Sequence, residues 1–146
     1  MKHALLIFLF CVFPKGTIAQ KVIHNPDCIY KNFTADVTKV EIKETETILH
    51  FHIKETQGMR FSIPSYTYIE DSSKNGERLY ILRGEGVNIS QYNTIQDSKG
   101  MRYKLYFPPL GRGVTSINYG EANYAGHWFI YKLNIKCLIA NFNNYI

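Results

Sequence analysis

Apolar and polar residues alternate with a period of two over several short stretches of this chain, and nowhere do they sustain the period of a helix. Residues 47–53 set Thr47, Leu49, Phe51 and Ile53 on one face and His50 and His52 on the other, with Ile48 the exception. That is the pattern of a half-buried strand. Residues 36–43 alternate as well, with Val40 and Ile42 opposite Lys39, Glu41 and Lys43, and the break at Glu44-Thr45-Glu46 predicts a hairpin between the two runs. Residues 101–107 turn Met101, Tyr103, Leu105 and Phe107 inward and Arg102, Lys104 and Tyr106 outward, and stop at Pro108-Pro109.

Turn signals divide the remainder. Gln57-Gly58 precedes a predicted strand over 60–69, in which Pro64 calls for an edge position or a bulge because proline cannot donate to a ladder. The polar loop 71–76 ends in Asn75-Gly76, residues 79–83 read as a strand closed by Gly84-Glu85-Gly86, and 87–100 carries few packing signals. Residues 114–119 and 128–135 are the last strands. In the second of these Trp128 and Ile130 face inward, followed by Leu133 and Ile135 if a bulge falls near Lys132. About seven short strands without helices predict an all-β, two-sheet antiparallel sandwich, with a barrel as the second choice.

The N-terminus has a different character. Met1, Lys2 and His3 form a short basic start, residues 4–13 are apolar without a break, and Thr17-Ile18-Ala19 brings small residues to a cleavage position between Ala19 and Gln20. A spanning helix needs roughly 20 apolar residues, and this run is broken by Pro14, Lys15 and Gly16. We therefore expect a cleavable signal over 1–19 and no stable membrane span, then an extension over 20–34, the sandwich over 35–139 and a loose tail over 140–146. The product is expected in the periplasm or at the cell surface. A lipid anchor through Cys11 is the second reading, against which Phe10 stands where such signals carry a small residue.

A compartment of this kind changes what charge and cysteines mean. The chain is 45% hydrophobic and 20% charged, enough to bury a core. Loss of Lys2 and Lys15 with the leader lowers the formal net charge from +5 to about +3, and the remaining cations alternate with acids, as in Lys39-Val40-Glu41-Ile42-Lys43-Glu44. Nucleic acid is not an expected partner. Cys28 and Cys137 remain after cleavage, and an even pair in an exported chain reads as a disulfide, with two separate buried thiols as the other account. Closing a loop of about 110 residues is worth roughly 4 to 5 kcal/mol in the chain-entropy picture. No C-x-x-C is written in the sequence.

Few residues point to chemistry. His50 and His52 share a strand face at the spacing that can present two imidazoles to a metal, but zinc takes three or four ligands, and His24 or His127 could join only through tertiary contacts. Glu44, Glu46, Glu70, Asp71, Glu85 and Glu121 could supply a carboxylate pair for glycoside hydrolysis, and charged turns account for all six more simply. There is no G-x-S-x-G, and Gly111-Arg112-Gly113 lacks the lysine and the strand-to-helix context of a phosphate loop. Tyr66, Tyr68, Tyr80, Tyr92, Tyr119 and Tyr124 combine apolar area with a hydroxyl and suit protein or carbohydrate contact, although strand propensity places tyrosines as well. Asn32-Phe33-Thr34 and Asn88-Ile89-Ser90 match glycosylation sequons, which matter only in a eukaryotic secretory host. We expect no cofactor and no catalytic residue.

The order of these signatures resembles an immunoglobulin-like domain of exported Bacteroidetes proteins. Its residues here are Thr47-Ile48-Leu49-His50-Phe51, Thr67-Tyr68-Ile69-Glu70-Asp71 and Gly84-Glu85-Gly86-Val87, then Tyr103-Lys104-Leu105-Tyr106-Phe107-Pro108-Pro109-Leu110, Ser116-Ile117-Asn118-Tyr119-Gly120-Glu121 and Trp128-Phe129-Ile130-Tyr131-Lys132-Leu133. The likeness spans 47–135 and consists mostly of packing and turn residues. In that family the domain often stands in front of a thioredoxin-like domain, so the resemblance implies an accessory or interaction module that binds an envelope protein or a glycan. The chain departs from the family pattern at Asn118, where the family prefers Asp, and at Lys132, where it prefers Gly. A small periplasmic metal-binding protein or enzyme built on the His50 and His52 face is the alternative function.

Overall fold

A computed structural model describes residues 20–54, 57–73, 76–121 and 127–136. The predicted leader with Cys11 and the Ala19-Gln20 junction, the tail, and Cys137 all lie wholly or partly outside them. Among the described residues the chain is entirely β, and no helix is long and apolar enough to cross a membrane.

Among the described residues twelve strands follow one another: β1 Lys21–His24, β2 Cys28–Lys31, β3 Asp36–Ile42, β4 Thr47–Ile53, β5 Arg60–Ser62, β6 Tyr68–Asp71, β7 Leu79–Tyr80, β8 Arg83–Glu85, β9 Tyr92–Thr94, β10 Met101–Phe107, β11 Ser116–Gly120 and β12 Phe129–Asn134. They form two five-stranded antiparallel sheets, β1-β3-β4-β10-β8 and β2-β12-β11-β6-β7, and a two-stranded ribbon of β5 with β9. Without β1 and β2 the orders are β3-β4-β10-β8 and β12-β11-β6-β7. In chain order that is the A-B-E-D sheet facing G-F-C-C′ of an immunoglobulin-like sandwich.

The two clearest alternations sit where the pattern put them. β4 spans residues 47–53 and pairs with β10 from Thr47 opposite Phe107 to Ile53 opposite Met101. The hairpin from β3 to β4 closes on a hydrogen bond from the Lys43 amide to the Glu46 carbonyl at 2.9 Å. Leu49, Phe51, Ile53, Tyr103, Leu105 and Phe107 are buried from this sheet, and Ile69, Ile117, Tyr119, Ile130 and Leu133 meet them from the other. Ile48 and Tyr106, on the outer face, are buried too. They lie opposite each other in register, and the Arg83 guanidinium covers the Tyr106 ring at 3.3 Å from its centroid.

Two runs expected as single strands instead cross between sheets. The single strand expected over 60–69 is two strands in different sheets, β5 and β6. Pro64 causes the break, since its carbonyl accepts from the Thr67 amide at 3.1 Å and from the Thr67 hydroxyl at 2.7 Å in a tight turn. The run over 79–83 likewise divides into β7, at the edge of the second sheet, and β8, at the edge of the first. β9 lies in the stretch that carried few signals, and residues 20–34 supply the edge strands β1 and β2. The bulge near Lys132 is present: Ile117 faces Leu133 while Tyr119 faces Ile130, and Lys132 takes a left-handed φ of 52°. This kink lets Ile130 and Leu133 both face inward.

Candidate functional site

The outer face of the first sheet carries the two histidines, and both are engaged. The imidazole of His50 lies 2.6 Å from Glu41, a carboxylate that also meets Lys39 at 3.0 Å. Burial holds the His50 ring below its usual pKa, helped by Lys39 and Lys104 and against the pull of Glu41, so at neutral pH a neutral N–H donates to the carboxylate. His52 Nε2 donates to the Lys99 carbonyl at 3.1 Å. Among the described residues no three His, Cys, Asp or Glu side chains converge as metal ligands would. Glu85 ends the face, taking the Lys104 ammonium at 2.8 Å and the Tyr106 hydroxyl at 2.6 Å.

Of the carboxylates read as charged turn residues, Glu121 is not one. It follows β11 by one residue and is only 4% exposed. The Tyr119 hydroxyl donates to it at 2.8 Å, and the main chain of Trp128 gives further support. Burial outweighs these hydrogen bonds and raises its pKa to about 7. Its partner Tyr119 packs against Phe33 and Phe51, at 6.2 and 5.3 Å, within a core cluster in which Phe33, Trp128 and Phe61 stack at 4.7 and 5.6 Å and Phe51 stacks on Tyr103 at 5.1 Å. The Tyr103 hydroxyl is buried with no hydrogen-bond partner among the described residues. The sequence offered one sign of this arrangement, a glutamate within two residues of a tyrosine at the end of a buried strand.

The tyrosines separate into two groups. Tyr68 and Tyr119 are core residues, Tyr124 lies outside the described residues, and Tyr66, Tyr80 and Tyr92 are exposed. Tyr80 pairs with Tyr68 at the β7 edge, where their rings meet edge to face at 6.4 Å. From there the chain crosses to the first sheet, with hydrogen bonds from the Ile81 amide to the Thr67 carbonyl and from the Leu82 amide to the Tyr106 carbonyl. Tyr66, Tyr80 and Leu82 are 48%, 50% and 59% exposed, and the Tyr68–Tyr80 register with the Ile81 to Thr67 hydrogen bond sets Tyr66 beside Leu82, two residues along from Tyr80, as a ledge at this edge. At the opposite edge, Ile29, Tyr30 and Tyr131 are exposed as well, with Tyr30 and Tyr131 directly paired. Cys28 stands opposite Leu133 at the start of β2. The Gly111-Arg112-Gly113 segment is a turn, with Gly113 at a φ of 81°.

Compared with protein-family models, curated proteins and solved structures, the chain matches none.

Proposed function

We propose that this chain is an exported accessory or interaction module, without catalytic activity of its own, that binds an envelope protein or a glycan through the β7 edge of its second sheet. The observation that carries the reading is the ledge of Tyr66, Tyr80 and Leu82. Large apolar side chains are held there half in solvent by backbone hydrogen bonds to two different sheets. Tyrosine supplies flat area at small entropic cost, which suits both protein hot spots and sugar faces. Edges this short, two residues in β7, are poor templates for indiscriminate strand pairing, so recognition would rest on side chains.

The resemblance to the Bacteroidetes domain supports the same reading. The left-handed backbone at residue 132 is where that family prefers glycine, and glycine is the residue such a backbone favours. Asn118, where the family prefers Asp, uses its amide to join two strands. Its Oδ1 accepts from the Lys132 amide at 3.0 Å and its Nδ2 donates to Glu70 at 3.2 Å. A Cys28 to Cys137 disulfide and soluble export after cleavage at Ala19 belong to the same proposal. The test has two arms, capture of envelope proteins on the immobilised chain from Gln20 onward and a glycan array probed with the same chain. A specific ligand in either arm supports the function, and background binding in both removes it.

A further inference from the structure

We propose that a second site, independent of the apolar ledge, binds an anionic head group, carboxylate or phosphate, carried on an aliphatic chain. It is a half-open groove of about 450 Å³ where the β1 to β2 crossover passes between the sheets. That volume lies within the usual range of small-ligand clefts. Val37, Cys28, Ile130 and Leu133 make its apolar part, while Lys31, Asp36, Lys54 and Arg102 supply the charge.

The charge is unbalanced by construction. Among the described residues Asp36 is the only acid lining the groove, and it is engaged by both lysines, with Lys31 Nζ at 2.6 Å and Lys54 Nζ at 2.8 Å. Hydrogen bonds from these two ammoniums hold its carboxyl below the usual carboxylate range, so it stays an anion with its lysines in place. Arg102 has no acid partner among the described residues. The register shows why: Asp36, His52 and Arg102 occupy one row across β3, β4 and β10, and the histidine stands between the opposite charges. Two strand spacings, about 10 Å, separate the ends of that row. On its other side Glu85 already holds Lys104 and the Tyr106 hydroxyl.

Among the described residues, three cations against one carboxylate leave an excess of about two positive charges at the mouth of a cleft with an apolar floor, the inverse of an anionic amphiphile. A bulge in β3 between Val37 and Lys39 adds Thr38 to the same wall. Bulges of this kind re-aim side chains at binding sites.

Calorimetric titration of the chain from Gln20 onward with octyl phosphate, octanoate, octanol and inorganic phosphate tests the site. Saturable binding of the two amphiphiles is expected, with octanol and inorganic phosphate each weaker by about tenfold or more, because each lacks half of the complement. Arg102→Gln should weaken octyl phosphate about tenfold, Lys54→Gln should weaken it too, and Arg112→Gln, in a turn elsewhere, should leave it unchanged. All three variants should melt as the wild type does, and Lys54, whose side chain is 65% exposed, is the safer of the two groove substitutions. Failure of both amphiphiles to bind, octanol binding as well as they do, or equal losses in Arg102→Gln and Arg112→Gln would overturn the proposal.

Discussion

Glu121→Gln should make the protein more stable above neutral pH and nearly unchanged below pH 5. In the folded chain the carboxyl titrates near 7, against an ordinary value of 4.5, because its burial penalises the charged form. Below 4.5 the group is protonated in both folded and unfolded chains, and its raised pKa costs nothing. Between 4.5 and about 7 the unfolded chain releases a proton that the folded chain keeps, so stability falls as pH rises. Above 7 the loss is complete and amounts to roughly 3 kcal/mol at 1.36 kcal/mol per pH unit. Glutamine keeps the shape and cannot ionise. Its amide can donate to the Tyr119 oxygen while its carbonyl accepts from the main chain.

Urea denaturation from pH 5 to pH 8.5 measures this directly. With a slope of about 2 kcal/mol per molar urea, the Glu121→Gln midpoint should exceed wild type by roughly 1.5 M at pH 8 and by little at pH 5. The low end of the range avoids the acid region where Asp36, Glu41 and Glu85, all held below the ordinary carboxylate range, begin to protonate. A variant whose midpoint tracks wild type across the whole range would refute the argument, because it would mean that the carboxyl is hydrated or neutralised in the fold.

Other expectations follow from single geometric facts. Tyr103→Phe removes a buried hydroxyl with no partner among the described residues and should leave the midpoint of thermal unfolding unchanged or raise it, by up to about 1 kcal/mol in stability. Lys132→Gly relieves a left-handed residue in the bulge and should stabilise by up to about 1 kcal/mol in the same assay. Gly100→Ala should destabilise by several kcal/mol, because its φ is 82° and a Cβ there would lie 1.9 Å from the Ile53 carbonyl oxygen. For the cysteines, intact mass before and after reduction should differ by two hydrogens, and an unchanged mass would rule out the Cys28 to Cys137 bridge.

The parts of the fold legible in the sequence are those in which one face is buried and the other wet. β4 and β10 are of this kind, and even the kink at Lys132 could be placed, since without it Ile130 and Leu133 would face opposite ways. Of the edge and ribbon strands, only β5, β7 and β8 lie in runs that read as strands. β1, β2 and β9 are three or four residues long and partly exposed, too short for the sequence to show a period. Crossings between sheets were hidden for a related reason: a run such as 79–83 keeps its β-forming residues while its hydrogen-bond partner changes from β6 to β10. The binding features divide in the same way. The exposed tyrosines were visible as candidates, though which of them face solvent depends on the edge. Glu121 reads as a turn residue because its burial depends on tertiary packing: the rings of Phe33 and Phe51 that pack on its partner Tyr119 come from segments far apart in the chain.

The most direct test of the binding function is a side-by-side capture from envelope extract and on a glycan array, using the wild-type chain and a Tyr80→Ser, Leu82→Ser variant. Both residues are at least half exposed, so the variant should melt as wild type does, and each substitution removes apolar contact area at the edge. A ligand should be retained by the wild type and bound about tenfold or more weakly by the variant. Identical capture by both chains, or none by either, would contradict it.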